Sequence, residues 1–335
     1  MLPAAPVMGE SRGLTPARDA GALNALFSRV TRASDHAIVP INEIAADNSN
    51  EIAADTDAAV PAFYCVHSLS GAGGTDYRQL ARLMPAVRFY GIQAPPRRMR
   101  DPAFGGSVDA IADYYADALV KFQPEGPFLL GGWSAGAIIG LEIAQKLRRR
   151  GRHVALFAAI DAAPENTGAG LRFWHPRYLL DVAGNLVGWT VHDVLSRKGA
   201  ARLLGRRALS KAVARGRTLI ARIRGEQMLG LYAVEGFMDL SRYPAEQKLF
   251  MKRLYNSLLA HTPADYPGDV VVYEAKIKPL FALPQVGRVW RRVAPRSVVV
   301  DVEGTHLSIL HEPYARTVAE DLQQRIAAAA PANRT

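Results

Sequence analysis

Cysteine is nearly absent from this chain of 335 residues, with Cys65 as its single example. One cysteine excludes an intramolecular disulfide and any zinc site built on cysteine pairs. It lies in the apolar run Ala62-Phe63-Tyr64-Cys65-Val66, where a buried strand residue is expected rather than a nucleophile. Long apolar stretches are missing too. No run reaches the length of a membrane span, and the first residues lack the basic-then-apolar order of a signal peptide. A cytoplasmic protein with no stable membrane insertion is expected. Acid is in short supply: 31 Asp and Glu stand against 41 Lys and Arg, a net charge of +10. The excess is local. Val194 to Gly225 holds ten basic residues and no acidic one, and Arg97-Arg98-Met99-Arg100 and Arg148-Arg149-Arg150 add smaller clusters. These stretches carry few aromatics and no helix-turn-helix, finger or RNA-binding signature, so nucleic acid is not expected. An acidic protein or an anionic ligand suits such a surface equally well.

What is present reads as an α/β protein. The length allows one large domain with an insertion. Residues 1–36 read as a flexible leader, with one short helix at Ala22 to Val30, and residues 37–335 as the domain. Ala37–Ile41 fits an edge strand, where a proline is tolerable. A tandem duplication follows, Asn42-Glu43-Ile44-Ala45-Ala46-Asp47 echoed by Asn50-Glu51-Ile52-Ala53-Ala54-Asp55. Two copies are too few for a solenoid, so an expanded surface loop is expected. Strands are suggested at Ala62–Val66, Val87–Ile92, Phe128–Gly131, Val154–Ile160, Val270–Tyr273 and Ser297–Val302. Helices fit Asp76–Met84, Val108–Phe122, Ala137–Arg150 and Pro313–Ala328. Apolar strands separated by helices imply a mostly parallel sheet covered on both faces. The alternation breaks over about residues 165–262, where several helices are expected to form a lid.

The chemistry starts at Gly132-Trp133-Ser134-Ala135-Gly136, between an apolar strand and the helical run Ala137-Ile138-Ile139-Gly140-Leu141. A Gly-x-Ser-x-Gly turn in that setting holds a serine hydroxyl above the sheet at a helix N-terminus. Serine needs a base to take its proton and a carboxylate to orient that base. Site residues in open α/β sheets lie beyond the carboxyl ends of strands. By that rule His306, past the last strand and last in chain order, is the expected base, and His311 is expected to point away. His175, His192 and His261 fall in the expected lid. His67 follows the first core strand and is expected to line the site together with Trp133. For the acid, Asp161 and Glu274 each end a strand, and both stay open on the residues alone. The oxyanion hole needs two backbone N–H groups, one from Ala135 and one from the loop His67-Ser68-Leu69-Ser70-Gly71-Ala72-Gly73-Gly74.

From Ile38 to Leu322 the chain resembles the thioesterase domains that release products from nonribosomal peptide and polyketide synthases. The resemblance is carried by Ala62-Phe63-Tyr64-Cys65-Val66-His67, by Tyr90-Gly91-Ile92-Gln93-Ala94-Pro95, by Gln123 through Ser134, by Glu142-Ile143-Ala144 and by Gly304-Thr305-His306-Leu307-Ser308-Ile309-Leu310. It implies an α/β-hydrolase fold with a helical lid and a Ser-Asp-His triad. By that pattern the acid is Asp161, and Leu69 is the second oxyanion donor. Val271-Val272-Tyr273-Glu274-Ala275 lacks the Gly-x-x-Asp that proofreading thioesterases carry. No cofactor or metal is implied, the substrate riding on the phosphopantetheine of an acyl or peptidyl carrier protein. Terminating domains normally follow a carrier, and this chain opens without one, so a carrier acting in trans is expected. Arg206, Arg207 and Lys211 are the expected docking residues. The rival readings are a carboxylesterase or acyltransferase of the same fold, and a non-catalytic ligand-binding or membrane-surface protein.

Overall fold

A computed structural model describes residues 36–42, 60–165, 243–277 and 286–329. Short apolar runs in these segments form strands β1 (Ile38–Pro40), β2 (Ala62–Val66), β3 (Arg88–Ile92), β4 (Phe128–Trp133), β5 (Val154–Ile160), β6 (Val270–Ile277) and β7 (Ser297–Thr305). They join one sheet in the order β1-β3-β2-β4-β5-β6-β7. Only β1 is antiparallel, at the edge, with Pro40 opposite Tyr90. The other pairings are parallel. Parallel neighbours need crossover connections, which the helices provide.

Those helices are α1 (Gly73–Asp76), α2 (Arg78–Leu83), α3 (Pro96–Arg100), α4 (Val108–Phe122), α5 (Ala135–Arg149), α6 (Ala245–Ala260), α7 (Val286–Val293) and α8 (Ala315–Ala329). Each side of the sheet has its own core, because alternate strand residues point to opposite faces. Tyr64, Val66, Phe128 and Leu130 pack with Ile111, Tyr115, Ile143 and Phe250 from α4, α5 and α6. Phe63, Cys65, Leu129 and Ile160 pack with Leu80 from α2 and Val318, Leu322 and Ile326 from α8. The buried stripe Ile111, Tyr115 and Leu119 has helical spacing, and Ser107 caps α4 by accepting from Ala110 N at 3.3 Å.

The expected strands are present, with β4, β6 and β7 each running two to four residues further than expected. The expected helix Asp76–Met84 is instead two short helices broken at Tyr77 (φ −102°, ψ 3°), whose side chain is fully buried. Helices α3 and α7 carry no strong periodic signal. In α7 the decisive residue is Trp290, buried and donating from Nε1 to Ala162 O at 2.7 Å. The expected lid takes in the whole of α6, but Phe250 and Leu254 of that helix are wholly buried in the main core, so α6 belongs to the body of the domain. The rest of the expected lid, residues 166–242, lies outside the described residues, as do His175, His192, Arg206, Arg207, Lys211, residues 1–35 of the leader and residues 43–59 of the duplicated loop. Among the described residues no helix is long and apolar enough to cross a membrane.

Candidate active site

β4 lies in the middle of the sheet, and its carboxyl end delivers Ser134 into α5 through a very tight turn. A Cβ on Gly132 would meet Gly136 O at 2.1 Å, and one on Gly136 would meet Val66 O at 2.3 Å. Only glycine fits at both positions, since the opposing atoms are backbone. The turn puts Ser134 at φ 57°, ψ −124°. Asp161, just past the end of β5, is the one other non-glycine residue at positive φ among the described residues (φ 46°). Such conformations cost on the order of 1–3 kcal/mol each and persist only where surrounding structure enforces them. Here the sheet does so: Ser134 N donates to Ile160 O at 3.1 Å, and Asp161 N to Tyr273 O at 2.8 Å.

Asp161 is held by both oxygens. Oδ1 accepts from Ala275 N at 2.9 Å, and Oδ2 accepts from His306 Nδ1 at 2.8 Å. With a carboxylate as partner, Nδ1 carries the proton and Nε2 presents a lone pair, the tautomer a general base needs. His306 follows β7 on a loop that is itself tied down. Thr305 N donates to Ser308 Oγ at 2.8 Å, while Ser308 N and Ile309 N both donate to Thr305 O at 3.0 Å. Trp133 completes the hold, its ring stacked on the His306 ring with centroids 5.1 Å apart and its Nε1 donating to His306 O at 3.1 Å. Trp133, expected to contact substrate, is thus engaged with the histidine.

The other acid and histidine candidates resolve differently. Glu274 does not end its strand, because β6 continues to Ile277, and its Oε2 accepts from Gly287 N in α7 at 3.0 Å. His311 is exposed, as expected of a histidine turned away. His261 sits at the far end of α6, with Nε2 3.7 Å from Glu142 Oε2.

The expected lining role of His67 fails on burial. Its ring is fully buried, Nδ1 donating to Ser68 O at 2.6 Å and Nε2 accepting from Tyr115 Oη at 2.7 Å. Burial lowers its pKa to about 4, against a smaller opposing pull from the Ser68 carbonyl. His67 therefore sits under the loop that carries Leu69, as a neutral strut. That loop is pinned from several sides: His67 N donates to Ile92 O at 2.9 Å, Gly71 N to Ser68 O at 3.1 Å, and Gln247 Nε2 from α6 to Ser70 O at 2.7 Å. Leu69 is half-buried at its crest. Ala135 opens α5, where the first N–H groups of a helix have no intrahelical acceptor.

Sequence reasoning missed Tyr77. It is fully buried beneath this loop, its hydroxyl donating to Val66 O at 2.6 Å and accepting from Trp133 N at 2.7 Å. A tyrosine in an expected amphipathic helix gives no signal for such a role. Beside it Asp76 has its Oδ2 buried without a hydrogen-bond partner, and burial raises its pKa to about 6 against the pull of Ser68. An open groove of about 510 Å³ lies at the other end of α5, lined by Gln145, Arg148, Arg152 and Tyr266, away from Ser134.

This geometry has named relatives. Residues 61–173 match the family model of the thioesterase domain. The matched segment contains β2, the Leu69 loop, the Ser134 turn and Asp161. The chondramide synthase cmdD of Chondromyces crocatus is 29% identical over 259 residues, covering 73% of this chain and 6% of the relative. The non-reducing polyketide synthase Dhc5 of Alternaria cinerariae is 35% identical over 103 residues, covering 30% of this chain and 5% of the relative. The chain thus spans about one twentieth of the length of these curated synthases. Among solved structures, the NocB thioesterase domain in covalent complex with a fluorophosphonate nocardicin G analog is 21% identical, with a TM-score of 0.51 over 80% of this chain and 96% of that one. The four-domain nonribosomal peptide synthetase AB3403 is 18% identical, with a TM-score of 0.52 over 89% of this chain and 21% of that one. The fold is the α/β-hydrolase fold of thioesterase domains.

The two carboxylates separate cleanly by mutation. Asp161→Asn replaces an acceptor of two N–H bonds by an amide that misdirects the His306 tautomer. Turnover of an activated acyl ester is expected to fall about 10³- to 10⁴-fold, whereas Glu274→Gln should stay within about twofold. Equal losses would remove Asp161 from the role.

The loop also makes a pH prediction. His67, neutral in the fold, leaves the unfolded chain to take up a proton as pH falls below 6.5. Its contribution to stability is therefore lost progressively from pH 6.5 to 4, by about 3 kcal/mol. Asp76 acts in the opposite direction. With its pKa raised from 3.8 to about 6, the fold takes up a proton before the unfolded chain does, so stability rises as pH falls from 6 to 4. The two effects oppose in the wild type. In urea titrations across this range, Asp76→Asn should steepen the loss of stability on acidification and His67→Gln should reverse its sign. Parallel profiles for both variants and the wild type would refute these assignments.

Proposed function

We propose that this chain is a serine thioesterase that releases an acyl, peptidyl or polyketide chain from a carrier-bound phosphopantetheine thioester. The observation that carries this reading is the Asp161–His306 carboxylate–imidazole pair past the carboxyl ends of β5 and β7, on the same side of the parallel sheet as the strained turn that holds Ser134 after β4. In this mechanism Ser134 Oγ attacks the thioester carbonyl while His306 Nε2 takes its proton. Asp161 holds the imidazole and stabilises the imidazolium. The tetrahedral oxyanion accepts from Ala135 N–H and Leu69 N–H. Collapse breaks the C–S bond, and His306 returns the proton to the departing thiolate. An acyl-serine ester remains. Water, or a nucleophile within the bound chain, then attacks that ester with His306 again as base, giving acid or ring.

The relatives support this class of reaction, being synthases of a chondramide and of polyketides that carry a matching segment. The family is one of hydrolases, and the charged cycle needs no cofactor of the protein's own. We assign the partner as an acyl or peptidyl carrier protein met in trans in the cytoplasm. The acid-free segment around Arg206, Arg207 and Lys211 offers charge complementary to an acidic carrier and to pantetheine phosphate.

Two tests follow from this reading. Intact mass recorded during reaction with a panel of acyl-pantetheine thioesters should show an acyl adduct on the wild type and none on Ser134→Ala. The variant should lose about 10³-fold or more in turnover, and near-normal turnover would remove Ser134 as the nucleophile. Reversing Arg206, Arg207 and Lys211 to Glu should lower kcat/KM for the carrier-bound thioester about tenfold or more, mostly through slower encounter. The free pantetheine thioester should be affected much less, and equal losses would argue against docking there.

A further inference from the structure

The pairing of β2 with β4 ends at Val66 opposite Gly132. From there the chains part: β2 turns into the Leu69 loop, and β4 passes through Trp133 into the Ser134 turn. The two backbone atoms at this fork, Val66 O and Trp133 N, both meet one oxygen, the Tyr77 hydroxyl, at 2.6 and 2.7 Å. Tyr77 is wholly buried and reaches the fork from the break between α1 and α2, so no water substitutes for it. Trp133 immediately precedes Ser134 and stands two residues before Ala135. Val66 stands three residues before Leu69. The hydroxyl therefore joins the two chain segments that carry the nucleophile and both oxyanion donors, at their point of divergence.

We infer that Tyr77 is a positioning residue, a hydroxyl clamp that fixes the nucleophile turn against the oxyanion loop. The inference rests on the reading of Ser134 as the acyl-accepting nucleophile. Without the hydroxyl, a donor and an acceptor in a dry site lose their shared partner, and the fork relaxes to repair them. Displacements of an ångström in a reacting constellation cost far more in rate than in binding. The signature is thus a fall in kcat with KM kept.

The test compares Tyr77→Phe with Tyr64→Phe. Tyr64 lies on β2 two residues before Val66, is as buried as Tyr77, and donates its hydroxyl to Gln123 Oε1 at 2.8 Å, ahead of β4 rather than at its Ser134 end. The readouts are the rate of Ser134 labelling by a fluorophosphonate, kcat and KM for an acyl-pantetheine thioester, and the thermal midpoint. Tyr77→Phe is expected to lose about 10- to 100-fold in kcat and in labelling rate, with KM within about twofold. Tyr64→Phe should lose stability with kcat unchanged. Incorporation of 3-fluorotyrosine at position 77 keeps both hydrogen bonds and should hold kcat within about threefold, a result readable even where the Phe variant folds poorly. Wild-type kcat in Tyr77→Phe, an equal kcat loss in Tyr64→Phe, or a Phe-sized loss with fluorotyrosine would overturn the clamp. A wild type that is labelled but does not turn over thioesters overturns the thioesterase reading alone, since the labelling ratio still measures the clamp. A wild type that is never labelled overturns both.

Discussion

The backbone-to-backbone approach at Gly132, Gly136 and Val66 is the constraint on which the site depends. With three polypeptide segments this close, no side chain fits between strand and helix, and the only way from one to the other is a residue at positive φ. That residue is Ser134. Its strain of about 1–3 kcal/mol is carried by a sheet whose central strands are buried on both faces, so relaxing the turn would mean disturbing Phe128, Leu130 and the helices packed on them. The same approach sets the start of α5 against the end of β2, which is why Ser134 and the Leu69 loop are neighbours at all.

Much of this is visible in the residues themselves. Gly-x-Ser-x-Gly between an apolar strand and a helix is legible because each glycine answers a steric need that no other residue meets. His306 was reachable by position, as the histidine just past the carboxyl end of the last strand and last in chain order. The choice between Asp161 and Glu274 was not, on physics alone. Both look like strand ends in the sequence, and the difference lies in where β6 stops: it runs on past Glu274 and turns that carboxylate toward α7. Resemblance pointed to Asp161 where periodicity could not.

What stayed illegible shares one feature: the partner is far away in the chain. Tyr77 reads as one apolar position in a short helix, and nothing near it announces that its hydroxyl spans 11 residues to Val66 and 56 to Trp133. His67 reads as a site residue because it follows a core strand, yet Tyr115 and Phe250 close over it. Trp133 reads as substrate wall, yet its indole is spent on His306. A loop position says that a polar residue is available, not which way its side chain turns.

The hold on His306 gives that last point a chemical consequence. In the resting state the imidazole needs only orientation, and Asp161 with its second N–H donor from Ala275 supplies it. In the proposed mechanism the ring becomes a cation once it takes a proton from Ser134, and its surroundings must then favour charge. Asp161 then faces the new charge edge-on through Nδ1, while the Trp133 indole lies against the ring face, where its π-electrons attract a cation. Both partners are fixed by the sheet, Trp133 as the last residue of β4 and Asp161 as the first after β5. Neither has to move as the charge develops, so the stabilisation costs no reorganisation at the moment of transfer. In the proposed mechanism Trp133, the residue before Ser134, thus shapes the base, and one strand end bears on both halves of the proton transfer.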